Sequence, residues 1–107
     1  MEEEKSTAIY VMARKEELAR ENVDSYDILL TRQKEECLKY LRSRFKDEDI
    51  GDIEIYTRRS HLFMDIERGR IKRLVVQSLN RLGSSPEELE GILFELDAAG
   101  VELVSLT

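Results

Sequence analysis

Ser85-Pro86-Glu87-Glu88 opens the most strongly specified helix in the chain. A serine N-cap, proline at the first helical position and glutamate at the third make a capping box, in which side-chain oxygens satisfy amides that the first turn leaves unpaired. Leu89, Ile92, Leu93 and Leu96 then follow at i, i+3, i+4 and i+7, and Gly100 stands where a left-handed stop is expected. Before this helix lies the stretch 71–79, with the run Leu74-Val75-Val76, and after it the alternating stretch 101–105. Strand, helix and strand in such quick succession form a crossover unit. Its strands run parallel, with apolar residues on both faces.

The rest of the chain is compatible with that frame. Residues 6–11 (S-T-A-I-Y-V) read as a short buried strand. The charged stretch 14–22 has no clear period and reads as a long loop or frayed turn. Ser25 is a helix N-cap for a segment running to about residue 44, with Leu30, Cys37, Leu38, Leu41 and Phe45 on one side and Glu35, Lys39 and Arg42 outside it. Residues 46–52, with Gly51, form a turn. Ile53 and Ile55 alternate with Glu54 and Tyr56 as a strand near one edge of the sheet. Ser60 is the expected cap of a brief helix whose apolar side is Leu62, Phe63 and Ile66 and whose stop is Gly69. The stretch 71–79 is the central parallel strand. The fold class is therefore α/β: a three-layer, open, mostly parallel sheet of about four strands, helices on both faces, with right-handed crossovers.

Composition limits the function classes. A chain of 107 residues supports one domain, 1–107. Apolar residues at 41% and charged residues at 37% are too apolar for general disorder and too charged for a membrane protein. No apolar run approaches the roughly 18 residues of a spanning helix, and residues 1–5 are acidic, the reverse of a secretory leader. A cytoplasmic domain without membrane partners is expected. Cys37 is the single cysteine, so an internal disulfide and a multi-cysteine zinc site are excluded. On the apolar side of its helix it reads as a buried structural thiol. His61 is the one histidine, a surface or helix-start residue, which leaves too few nitrogen ligands for most catalytic metal sites. No metal and no cofactor is expected. A net charge of −6 repels duplex phosphate on average, so contact with DNA requires a local basic patch or a separate module.

In open parallel sheets, ligands collect at the loops leaving the carboxyl ends of the strands. Those loops are 12–22, 57–60 and 80–85, and they carry Arg14, Lys15, Arg58, Arg59 and Arg81. These five cations are candidates for binding phosphate or another anion. The plain alternative is a solvated rim, since 17 basic residues must appear somewhere. No glycine-rich phosphate cradle of either common pattern is present.

The stretch 71–106 resembles the catalytic domain of serine recombinases, the resolvase/invertase family. Members show an L-D-R-L-G-R loop after a strand, then a helix and a strand ending G-V-x-L-x-S. Here stand Leu79-Asn80-Arg81-Leu82-Gly83-Ser84, the helix from Pro86, and Gly100-Val101-Glu102-Leu103-Val104-Ser105. Ile9-Tyr10-Val11 is similar to the family's first strand, and Ser25 with Gln33, Cys37 and Tyr40 to its S-x-x-x-Q-x-x-x-C/A-x-x-Y helix. The likeness covers nearly the whole chain and is weakest over 57–65.

The resemblance implies DNA cleavage by a serine hydroxyl, through a phosphoserine link that a second strand end attacks. Such a reaction needs a positioned nucleophile and guanidinium groups to balance charge on five-coordinate phosphorus. The family places these in a Y-x-R-V-S-T motif and in the D-R-L-G-R loop. This chain departs at both. Met12 stands where the arginine belongs and Arg14 where the serine belongs; Asn80 replaces the aspartate, Ser84 the second arginine, and Arg81 alone is retained. No serine or threonine lies between Val11 and Asn22. Arginine stays protonated and offers no nucleophile. Ser85 reads as a cap, and Ser84 has no basic neighbour in sequence to activate it.

The expected function is thus a recombinase-type domain without strand cleavage, acting in DNA recombination as a binding or regulatory module, or a remnant. The alternatives are a residually active DNA-cleaving fragment and an anion- or nucleotide-binding domain at the sheet rim. The implied partners are DNA, through another domain or a partner recombinase, and a second copy or an active relative in a dimer. The helix face around Phe94 is a candidate contact. Members also continue into a long helix and a DNA-binding domain. Thr107 ends the sequence before either, so no C-terminal DNA-binding domain is expected within 1–107.

Overall fold

A computed structural model describes residues 4–107. In chain order the elements are β1 (Ser6–Tyr10), α1 (Lys15–Arg20), α2 (Tyr26–Arg44), α3 (Asp47–Ile50), β2 (Ile53–Tyr56), α4 (Arg59–Glu67), β3 (Ile71–Val76), a 3-10 turn (Leu79–Arg81), α5 (Pro86–Ala98) and β4 (Glu102–Ser105). The four strands form one sheet in the order β2-β1-β3-β4, and every pairing is parallel. The mostly parallel sheet is therefore wholly parallel, with β2 at an edge and β3 inside.

Alternation along the inner strands builds two cores. Ala8 and Tyr10 of β1 and Leu74 and Val76 of β3 face α4 and α5, where Leu62, Ile66, Ile92 and Leu96 close over them. Ile9, Val11 and Val75 face the other way, onto Cys37, Leu41 and Ile50 of α2 and α3. Successive strand side chains point to opposite faces, so an unbroken apolar run is needed wherever both faces are covered. Hence the three layers. Leu74 has no exposed surface, and truncating such a residue to alanine costs about 2–5 kcal/mol.

The helix termini follow local chemistry in two cases. Ser25 Oγ accepts from the Asp27 amide at 3.2 Å, and Ser85 Oγ accepts from the Glu88 amide at the same distance. Ser60 does not cap α4. The helix begins at Arg59, Arg58 holds the N-cap place without a side-chain cap bond, and Ser60 lies inside the first turn. The turn over 46–52 contains the four-residue helix α3, pinned by Thr7 Oγ1 donating to the Ile50 carbonyl at 2.7 Å. The expected strand over 71–79 ends at Val76.

The larger correction concerns 14–22, which is not loop throughout: Lys15–Arg20 is α1. Glu16 and Glu17 stand in its first turn and Arg20 in its last, the arrangement that favours the helix dipole. The helix lacks an apolar period because its buried residue is a carboxylate, Glu17. Among the described residues no helix is long and apolar enough to cross a membrane.

Candidate functional site at the carboxyl edge of the sheet

Parallel pairing puts the carboxyl ends of β1, β2 and β3 along one edge, so the segments after Tyr10, Tyr56 and Val76 meet there. The chain leaving β1 is held by α2. Gln33 Nε2 donates to the Met12 carbonyl at 2.6 Å, and Gln33 Oε1 accepts from the Met12 amide at 3.2 Å. The same carbonyl accepts from Arg81 Nη1 at 3.1 Å. Arg81 also donates through Nη2 to Gln77 Oε1 at 2.8 Å and forms an ion pair with Glu17. The Arg81 side chain is 12% exposed and that of Glu17 is 8%, so the pair is shielded from water. Neither charge lacks a partner, as burial requires.

Arg14 lies beside this network, its Nη2 donating to the Asn80 carbonyl at 2.6 Å. Asn80 Oδ1 accepts from Ser78 Oγ at 2.6 Å. A cleft of about 320 Å³ opens here, lined by Arg14, Glu16, Glu17, Arg20, Ser78, Asn80 and Arg81. Four of the positions singled out in sequence, Met12, Arg14, Asn80 and Arg81, thus come together. A second cleft of about 210 Å³ shares Glu17, Arg20 and Arg81 and adds Arg32, Gln33 and Gln77.

The remaining rim cations lie elsewhere. Arg59 donates to the Leu82 carbonyl at 2.7 Å and pairs with Glu88 at the start of α5. That bond from Arg59 is the leading reason the Glu88 carboxyl titrates below its ordinary range. Arg58 lines a separate cleft of about 460 Å³ with Tyr56, His61, Met64 and Asp65. Lys15 is exposed on α1. Tyr10, beneath the edge, has its phenol pushed up by burial, against the pull of Arg59 and Arg14.

The other singled-out residues take simple places. Ser84 is exposed and bonded toward Glu88, Ser85 caps α5, and His61 is exposed on α4. Cys37 is fully buried. Burial, with the nearby Glu36 charge, pushes its thiol up to about 11, which leaves little thiolate at neutral pH. Sequence reasoning missed Glu17, Arg20 and Ser78, and it placed Gln33 in the helix motif without its hold on Met12. Gln33 carried a usable signal, since it lies four residues before Cys37 on the buried side of α2.

A wholly parallel four-stranded sheet covered on both faces, with an arginine-bearing loop after β3 meeting the chain that leaves β1, defines an α/β domain of the serine recombinase type. The family model described as "Resolvase, N terminal domain" matches residues 18–107, and the chain belongs to that family. The match begins beyond Met12 and Arg14. Among solved structures, the C-terminal catalytic domain of ISC1926 TnpA, an IS607-like serine recombinase, superposes with a TM-score of 0.68 at 14% identity, covering 95% of this chain and 67% of that one. A serine recombinase from Sulfolobus solfataricus gives a TM-score of 0.63 at 16% identity, covering 97% and 69%. These likenesses carry the fold. No curated protein matches the chain.

Proposed function

We propose that this chain is a resolvase-type domain that takes part in DNA recombination by association, with a partner recombinase or with its own copies, and does not itself cut DNA. The observation that supports this reading is Arg14. It follows β1 where the family resemblance calls for the attacking serine, and its guanidinium is turned onto the Asn80 carbonyl. A fixed cation there offers charge and no oxygen.

The test is covalent trapping. The chain, fused to a DNA-binding domain, is incubated with nicked recombination-site DNA and examined for a protein–DNA adduct. No adduct is expected. In parallel, the chain is mixed with an active family member, and co-elution with altered cleavage is expected. An adduct, or indifference in both assays, overturns the reading.

A second reading, residual cleavage, is favoured by Ser78, whose hydroxyl lines the same cleft as Arg81. Against it stand the engagement of that hydroxyl with Asn80 Oδ1 and the ion pair that takes up the Glu17 carboxylate, which leaves Glu16, exposed on α1, as the remaining carboxylate of the cleft. An adduct lost in Ser78→Ala would establish it.

A further inference from the structure

The two clefts bordered by α1 share three side chains: Glu17, Arg20 and Arg81. Two of the three belong to α1, and Glu17 is the buried residue of that helix. Lys15, Glu16, Ala19 and Arg20 are exposed, and Leu18 is half-buried. The helix therefore sits on the sheet edge largely through one carboxylate, gripped by the one arginine that the family resemblance retains. Beyond it the chain turns sharply at Asn22, which takes a left-handed φ of 53°.

A carboxylate and a phosphate present similar oxygens to a guanidinium fork. Arg14, Arg20 and Arg32 line the two clefts that Glu17 borders, together with Glu16, Glu21 and Glu36, and Arg32 pairs with Glu21. Among the described residues Arg14 and Arg20 form no ion pair, so two guanidinium groups beside Arg81 remain open to a group of higher charge.

We infer that α1 is an autoinhibitory plug: Glu17 holds the oxyanion place at Arg81, and a phosphate mono- or diester competes with it for that guanidinium. Displacement of α1 joins the two clefts and leaves Arg14, Arg32 and Arg81 open to the incoming group, while Arg20 travels with the helix. Binding at this edge is thereby made conditional on release of the helix. The inference rests on the reading of this edge as the phosphate-facing side of a recombinase-type domain. It concerns regulation of that side, not cleavage.

The experiment titrates the full chain with inorganic phosphate and, separately, with a thymidine dinucleotide carrying a single phosphodiester. Wild type, Glu17→Gln and Glu17→Gln/Arg81→Gln are compared by NMR shift perturbation. Glu17→Gln is expected to bind at least tenfold more tightly than wild type, and the double variant to lose the gain. Phosphate alone gaining affinity identifies a monoester-type ligand; the dinucleotide gaining as much or more identifies a diester. In wild type, saturating phosphate is expected to speed hydrogen exchange of the amides of α1. Equal affinity of wild type and Glu17→Gln overturns the inference. If Glu17→Gln fails to fold, the wild-type exchange decides: α1 amides as protected with phosphate as without it overturn the inference. A covalent adduct in the trapping assay would sink the non-cleaving reading and leave this competition standing, whereas absent competition sinks the plug alone.

Discussion

Gln33 grips the backbone of Met12 from both sides, donating to its carbonyl and accepting from its amide. A side-chain amide used this way supplies both partners of a missing strand neighbour, so the chain leaves β1 in one defined direction. Arg81 adds a second donor to the same carbonyl.

Gln33→Leu should therefore unfold more readily. It leaves the Met12 amide without its partner and the carbonyl with one donor in place of two, at a cost of about 2 kcal/mol. Urea unfolding should show a lower midpoint with an unchanged slope. A loss below about 0.5 kcal/mol would place the grip among solvated contacts.

The Glu17–Arg81 pair should show strong coupling. Arg81→Met leaves a buried carboxylate uncompensated, at about 3 kcal/mol or more, whereas Glu17→Leu/Arg81→Met should cost much less than the sum of the singles. A double-mutant cycle read by thermal or urea unfolding measures this directly.

Alkaline pH should weaken the fold. Cys37 titrates at about 11 in place, against an ordinary value of 9.0. The unfolded thiol therefore loses its proton first as pH rises. Stability is intact below about pH 9 and declines between there and about 11. Tyr10 and Tyr56 shift in the same direction, burial leading in both, with Tyr56 also bonded to Asp65 and Glu54. Unfolding followed from pH 8 to 11 should show the decline. At neutral pH a thiol reagent should label Cys37 only as fast as the protein opens.

Two serines at helix starts should behave differently. Ser85→Ala removes a cap bond to the Glu88 amide and should cost about 1 kcal/mol. Ser60→Ala, one residue inside the exposed first turn of α4, should stay within about 0.5 kcal/mol. Melting temperatures of the two variants test the contrast.

The layered fold was legible where residues advertise their environment. Leu74-Val75-Val76 needs cover on two faces, and Ser85 with Pro86 and Glu88 leaves little choice of helix start. The apolar spacing from Leu30 to Phe45 likewise marks α2. By contrast α1 was hidden, because Glu17 is buried only through Arg81, sixty-four residues later, and no local period reports a distant charge. Ser60 misled for the opposite reason: a good capping residue lies two places past the N-cap position, which Arg58 holds. At the site, loop order in a parallel sheet was enough to bring Met12, Arg14, Asn80 and Arg81 together. Ser78 escaped notice, and the hold of Gln33 on Met12 went unread, because a polar side chain at a buried or cleft-facing position does not reveal its partner until the fold is in place.

Arg59 starts from the far side of the edge, just after β2, yet it fastens to Leu82 and Glu88 beyond β3. Since β1 runs between those two strands, this tether straddles the middle of the sheet. Segments that would otherwise drift as separate fingers are laced into one clasp, so a tug on the start of α5 is felt at the start of α4.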